Sequence, residues 1–270
     1  MAYKDILVYA GGTGFEARVR LAAGLAEAYG AHVVGLHVAA PPDLPPYVEA
    51  QLTRELLQAH ERLVSQERDA CQAGFDAAFK GASVSAEWRA SEGDEADILQ
   101  LHGRYADLVV LGQEDPETPG ADVAGQIVLM LGRPVLVVPY VGTFETVGQR
   151  VLVAWDASRA AARAIGDAMA ILQRAEAVSV LSLNPDEDHA AMAGVDIATH
   201  MARHGVTVEA QHLTAKDMET GAMLLSRAAD FGADMIVMGA YGHARWRELV
   251  LGGVTEHMLG HMTVPVLMSH

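Results

Sequence analysis

Apolar residues along the chain fall into two patterns. Short runs, nearly unbroken, occur at 6–10, 33–38, 133–139, 151–155, 178–183, 235–238 and 264–270. Runs of that length read as strands buried on both faces. Between them lie longer stretches with helical spacing. Ala161, Ala164, Ile165, Ala168, Met169 and Leu172 form one stripe over 159–172, and Ser158 stands where an N-cap belongs. The Glu/Gln/Leu/Ala-rich segment 47–80 follows the breaker "PPDLPP". Segments 93–104 and 217–231, then 120–132 and 246–262, supply further predicted helices.

The pattern occurs twice. "DILVYAGGTGFEARVRLAAGLAEAYGAHVVGLHV" from Asp5 has the same layout as "RVLVAWDASRAAARAIGDAMAILQRAEAVSVLSL" from Arg150. "YADLVVLGQ" matches "GADMIVMGA", and "RPVLVVP" matches "VPVLMSH". Alternating strands and helices imply parallel sheets covered on both sides. The predicted fold is α/β, with two tandem doubly wound, Rossmann-like domains, each around a five-stranded parallel sheet. The expected units are 1–143 and 150–270, joined through "YVGTFETVGQ" (140–149). By analogy, the two short final strands pair edge to edge as an intrachain pseudo-dimer, leaving a homodimer open.

Composition narrows the function. The formal charge is −16, and the 19 Lys and Arg residues are scattered. Duplex nucleic acid and anionic membrane surfaces are therefore disfavoured. Aromatics are 6% of residues, too few for a stacking groove. One cysteine, Cys71, permits no intrachain disulfide, which suits a reducing compartment. The apolar part of "MAYKDILVYAGG" is too short for a signal peptide, and no run reaches about 18 apolar residues. A cytoplasmic protein is the expectation.

The richest candidate chemistry lies in "MGAYGHARWRELVLGGV" (238–254). Gly239 and Gly242 follow a predicted strand, and Gly252 and Gly253 precede a predicted helix. Bare amides at a helix start, with the helix dipole, suit a phosphate. Arg245 is the first choice to neutralise its charge, ahead of His243 and Arg247. No Lys stands in the loop as in a Walker motif, and no nucleophile–base set is visible. His200/His204 and His257/His261 have helical i,i+4 spacing, but with no Cys or acid partner they read as surface or interface histidines, and no metal site is assigned. Cys71 reads as an inert buried thiol and the twelve methionines as core filling. "YAGGTGFE" lacks the serines and aspartate of an ATP pyrophosphatase loop and reads as a turn.

Gly239, Gly242 and Gly252 have the G-x2-G-x9-G spacing that resembles the universal stress protein family, and "VLVAWDAS" resembles its first strand and Asp turn. The resemblance covers essentially the whole chain, as two tandem domains of the adenine nucleotide alpha hydrolase-like kind. It implies that some members bind ATP or AMP and others nothing. On it, Asp156 is expected near adenine or ribose, Leu183 near adenine, and Gly239, Gly242, Gly252 and Gly253 around phosphates. ATP would arrive with Mg2+.

Two departures qualify this. Gly253 stands where the family has Ser or Thr; one missing neutral hydrogen bond, about 0.5–1.5 kcal/mol, weakens such a site without abolishing it. In the first half the Asp position is Gly11, and the loop "QEDPETPGADVAGQ" is shorter and puts Glu114, Asp115 and Glu117 where phosphates would lie. A dead first site and a live second one are expected, in a stress-response regulatory or binding protein with nucleotide and protein partners. A nucleotide-free scaffold or chaperone-like protein and a slow adenylate hydrolase are the alternatives; any hydrolysis is expected to be incidental.

Overall fold

The computed structural model describes residues 2–40, 53–117, 123–183, 194–213, 220–241 and 253–270. In the first half the chain runs β1 (Asp5–Tyr9), α1 (Phe15–Tyr29), β2 (His32–Ala39), α2 (Arg54–Phe79), β3 (Ala86–Glu92), α3 (Glu95–Gly103), β4 (Leu108–Gly112), α4 (Val123–Met130) and β5 (Val135–Val138). The second half runs β6 (Arg150–Trp155), α5 (Arg159–Leu172), β7 (Ala177–Leu183), α6 (Val195–Arg203), β8 (Val208–Leu213), α7 (Thr220–Phe231), β9 (Met235–Gly239), α8 (Val254–His261) and β10 (Val266–Ser269).

The ten strands form one sheet in the order β3-β2-β1-β4-β5-β10-β9-β6-β7-β8. Within each half every pairing is parallel, whereas β5 and β10 meet antiparallel, with Val137 opposite Val266 and Leu136 opposite Leu267. The unbroken apolar runs follow from burial on both faces. In β1, Ile6 and Val8 belong to the core on the side of the sheet that carries α1, α2, α5 and α6, while Leu7 belongs to the core on the opposite side, which carries α3, α4, α7 and α8.

Three helix starts follow side-chain caps. Ser158 Oγ accepts from the Ala161 amide at 3.1 Å, and Thr53 and Asp94 do the same for α2 and α3. The helices are slightly shorter than the sequence pattern suggests: Thr53, Lys80, Asp94, Arg104, Gly253 and Met262 are caps outside the helical turns, and parts of 47–80, 120–132, 217–231 and 246–262 lie outside the described residues. α6, β3 and β8 are elements whose bounds the pattern did not mark. β3 and β8 are the outer edges of the sheet and carry few buried residues, so their apolar signal is weak.

The repeated Ala-Asp pair has a structural use. Asp234 accepts from the amides of Gly148, Gln149 and Arg150 at 2.9–3.1 Å, and Asp107 from those of Lys4 and Asp5 at 2.7 and 3.2 Å. In each half this carboxylate fastens the entry of the first strand. Side chains also tie the halves together. Tyr3 donates its hydroxyl to the Asp167 carbonyl at 2.8 Å, and Gln113 donates to the Leu259 carbonyl at 2.8 Å. Among the described residues no helix is long and apolar enough to cross a membrane.

Candidate functional site

In an open parallel sheet the crevice for a ligand lies beyond the carboxyl ends of the strands, where the strand order reverses. Here that place falls between β1 and β4 in the first half and between β6 and β9 in the second.

In the second half, β6 ends in the turn Asp156-Ala157-Ser158. Asp156 Oδ1 accepts from the Ser158 amide at 2.9 Å, and Ala157 sits at φ 59°, in the left-handed region. This folds the chain sharply into α5 and holds the exposed Asp156 carboxylate at the sheet edge. Leu183 closes the neighbouring β7, and Gly239 closes β9 on the other side of β6. Gly239 leaves space that the first turn of α5 fills: a Cβ there would stand 2.6 Å from the Ala160 carbonyl carbon and 2.9 Å from its Cβ. Its backbone is not left-handed.

The chain after β9 meets the start of α8. The Tyr241 amide donates to Thr255 Oγ1 at 3.2 Å, with Tyr241 at φ 55° and Thr255 buried. Gly253 is the N-cap of α8; its backbone is extended and it supplies no side-chain cap. Glu256 lies in the first turn of that helix. The structure thus places Asp156, Leu183, Gly239 and Gly253 at the same end of the sheet, while Gly242, Arg245 and Gly252, with His243 and Arg247, lie outside the described residues. Thr255, which the glycine spacing leaves out of register, is the residue that joins the two segments.

The first-half crevice is built differently. Arg18 of α1 is 2% exposed. Its Nε donates to the Tyr9 carbonyl at 2.8 Å, its Nη1 to the Thr13 carbonyl at 3.3 Å, and its Nη2 to the Gly11 carbonyl. The guanidinium also lies 5.6 Å from the Tyr9 ring centre. Burial pulls Arg18 down to about 10, which leaves it charged at neutral pH. Gly112, the counterpart of Gly239, makes room for this group: a Cβ there would stand 3.1 Å from Arg18 Cζ. The Tyr9 hydroxyl fills the space beside Gly11, 2.9 Å from where a Cβ would be. Burial, reinforced by Glu95, raises the Tyr9 phenol, and burial raises the Glu95 carboxyl. Asp115 accepts from Thr13 Oγ1 at 3.3 Å, so this loop acid lies directly against the β1–α1 turn.

Sequence reasoning passed over Arg18 and Tyr9. The available signal was an arginine on the same stripe as Val19 and Ala22. Cys71 is buried, and burial raises its thiol, as an inert cysteine requires. No group of three or more metal-binding side chains occurs among the described residues.

The universal stress protein family model matches residues 2–139 and 148–270. The chain belongs to the universal stress protein family and carries its domain twice, in tandem. It is 28% identical over 188 residues to universal stress protein Slr1230 of Synechocystis sp.; the match covers 63% of this chain and 60% of that relative's length. Among solved structures, a universal stress protein from Archaeoglobus fulgidus DSM 4304 superposes with TM-score 0.77 at 15% identity, over 99% of this chain and 96% of that one. A protein of unknown function from Pseudomonas aeruginosa PAO1 gives TM-score 0.61 at 15% identity, over 99% and 92%. At these identities the two structures speak for the fold.

Proposed function

We propose that this is a cytosolic, nucleotide-responsive regulatory or binding protein with one site for ATP or AMP, in a second unit spanning 150–270, beside a first unit, 1–143, that binds no nucleotide. The observation that carries this reading is the asymmetry of the two crevices. The first is filled from within by Arg18 and Tyr9. At the corresponding place in the second, the exposed Asp156 carboxylate stands at the sheet edge and suits a ribose or base. The Tyr241–Thr255 contact sets the loop after β9 against a helix start that no side chain caps. Amides so arranged favour phosphate oxygens. In this reading Gly239, Gly242, Gly252 and Gly253 border the phosphates, Arg245 offsets their charge, Leu183 lies by the base, and Mg2+ accompanies ATP.

Calorimetry with ATP and AMP tests it. One nucleotide per chain is expected, with binding lost in Gly242→Val. Gly253→Ser, whose extended backbone accepts any residue, should tighten binding by about 2–10-fold through one added hydrogen bond. Absence of heat with wild-type protein would overturn the proposal.

A second reading, a nucleotide-free scaffold, draws on Gly239, whose missing side chain is accounted for by the packing of α5. Mass spectrometry of gently purified protein separates the two: a bound adenylate ends the scaffold reading.

A further inference from the structure

The second half carries two pairs of histidines with the same i,i+4 spacing, His200/His204 and His257/His261. Spacing treats them alike, but their ring geometry differs. His257 and His261 lie nearly face to face, with centroids 4.4 Å apart and planes at 20°. His261 Nδ1 donates to the His257 carbonyl at 3.0 Å, and the His257 ring is pressed against Gly221. Stacked rings set their nitrogens side by side, not toward a common point.

His200 and His204 are tilted instead, with centroids 4.7 Å apart and planes at 58°. A metal–nitrogen bond of about 2.0–2.1 Å, added to roughly 1.1 Å from ring centre to nitrogen, puts a bound metal about 3.2 Å from each centroid. Two imidazoles at right angles about such a metal then have centroids about 4.5 Å apart, and two at a tetrahedral angle about 5.2 Å. The observed 4.7 Å lies closer to the right-angled arrangement.

We propose that His200 and His204 form a two-imidazole chelate for a divalent transition metal that takes nitrogen donors at right angles, of the Cu2+ or Ni2+ class. Both side chains are exposed, and neither ring makes a hydrogen bond or ion pair with a described residue. The backbone beneath them is held: the His204 amide donates to the Met201 carbonyl at 2.9 Å, and Gln173 Nε2 donates to the His204 carbonyl at 2.8 Å. The pair spans the last turn and C-cap of α6, where the negative end of the helix dipole favours a cation. Asp196 lies one turn before His200 and adds negative charge, while Arg203 is the opposing cation in that turn. Two protein ligands leave coordination positions for water or for donors from a partner.

The test is titration of the full chain with Cu2+ and Ni2+ in a non-chelating buffer near neutral pH. It is read by calorimetry and by electron paramagnetic resonance of the copper form. One site per chain is expected, with a spectrum showing imidazole nitrogen coupling. His200→Ala and His204→Ala should each weaken it at least about tenfold, the loss of one of two chelating arms, while His257→Ala leaves it unchanged. Circular dichroism checks that these surface variants remain folded. No binding by the wild-type chain, an unaltered titration in the His200→Ala/His204→Ala double variant, or loss in His257→Ala would overturn the proposal.

Discussion

Arg18 shares a stripe of α1 with Val19, Ala22 and Ala26 and is buried as they are. A buried cation is tolerated where fixed acceptors replace water, and three carbonyls of the β1–α1 turn do so here. Removing the guanidinium strands those carbonyls and opens a cavity. Arg18→Ala should therefore lose about 3–5 kcal/mol in urea unfolding, and a loss below about 1 kcal/mol would mean that water takes over the role. The first crevice shows how far the sequence could be read. Gly11 and the acidic loop pointed to a site that takes no phosphate. In the structure the residue that fills the space beside Gly112 is Arg18, which in sequence looks like any solvated helix charge. The acid Asp115 has a local role, as acceptor for Thr13. Around the second crevice, Asp156 and Gly239 were legible because sharp turns and close packing select their residue types. Thr255 was not, because a buried hydroxyl holding a distant amide leaves no periodic trace.

Packing between elements separates two glycines that the repeat makes equivalent. Gly239 abuts the backbone of α5, which cannot yield without moving the helix. Gly112 abuts the far end of the Arg18 side chain. Gly239→Ala should cost about 1–3 kcal/mol by forcing β9 and α5 apart, and Gly112→Ala should cost more, because the added methyl would push a buried guanidinium off the carbonyls that hold it. Urea denaturation of the two variants side by side measures the difference, and equal losses would refute it. Most elements announced themselves through periodicity, because strands buried on both faces and helices on Ala-rich stripes leave strong patterns. β3 and β8 did not, since an edge strand with few buried residues looks like a loop in sequence.

Across the whole molecule the antiparallel seam joins two parallel halves into one sheet. All four residues of β5 and all four of β10 are buried. Separating the halves would expose those strands, so residues 1–143 expressed alone should self-associate through β5. Sedimentation should then report dimers or larger species, and a well-behaved monomer would show that the seam contributes little. The same seam limits how the protein can assemble. With both inner strands committed to each other, the outermost strands are β3 and β8, and these present Glu87, Arg89 and Glu92 on one side and Glu209, Gln211 and His212 on the other. Such rims discourage an incoming ribbon. In this duplicated chain the edge-to-edge joining of two repeats is made within one molecule, which leaves charged strands at both outer rims of the described sheet.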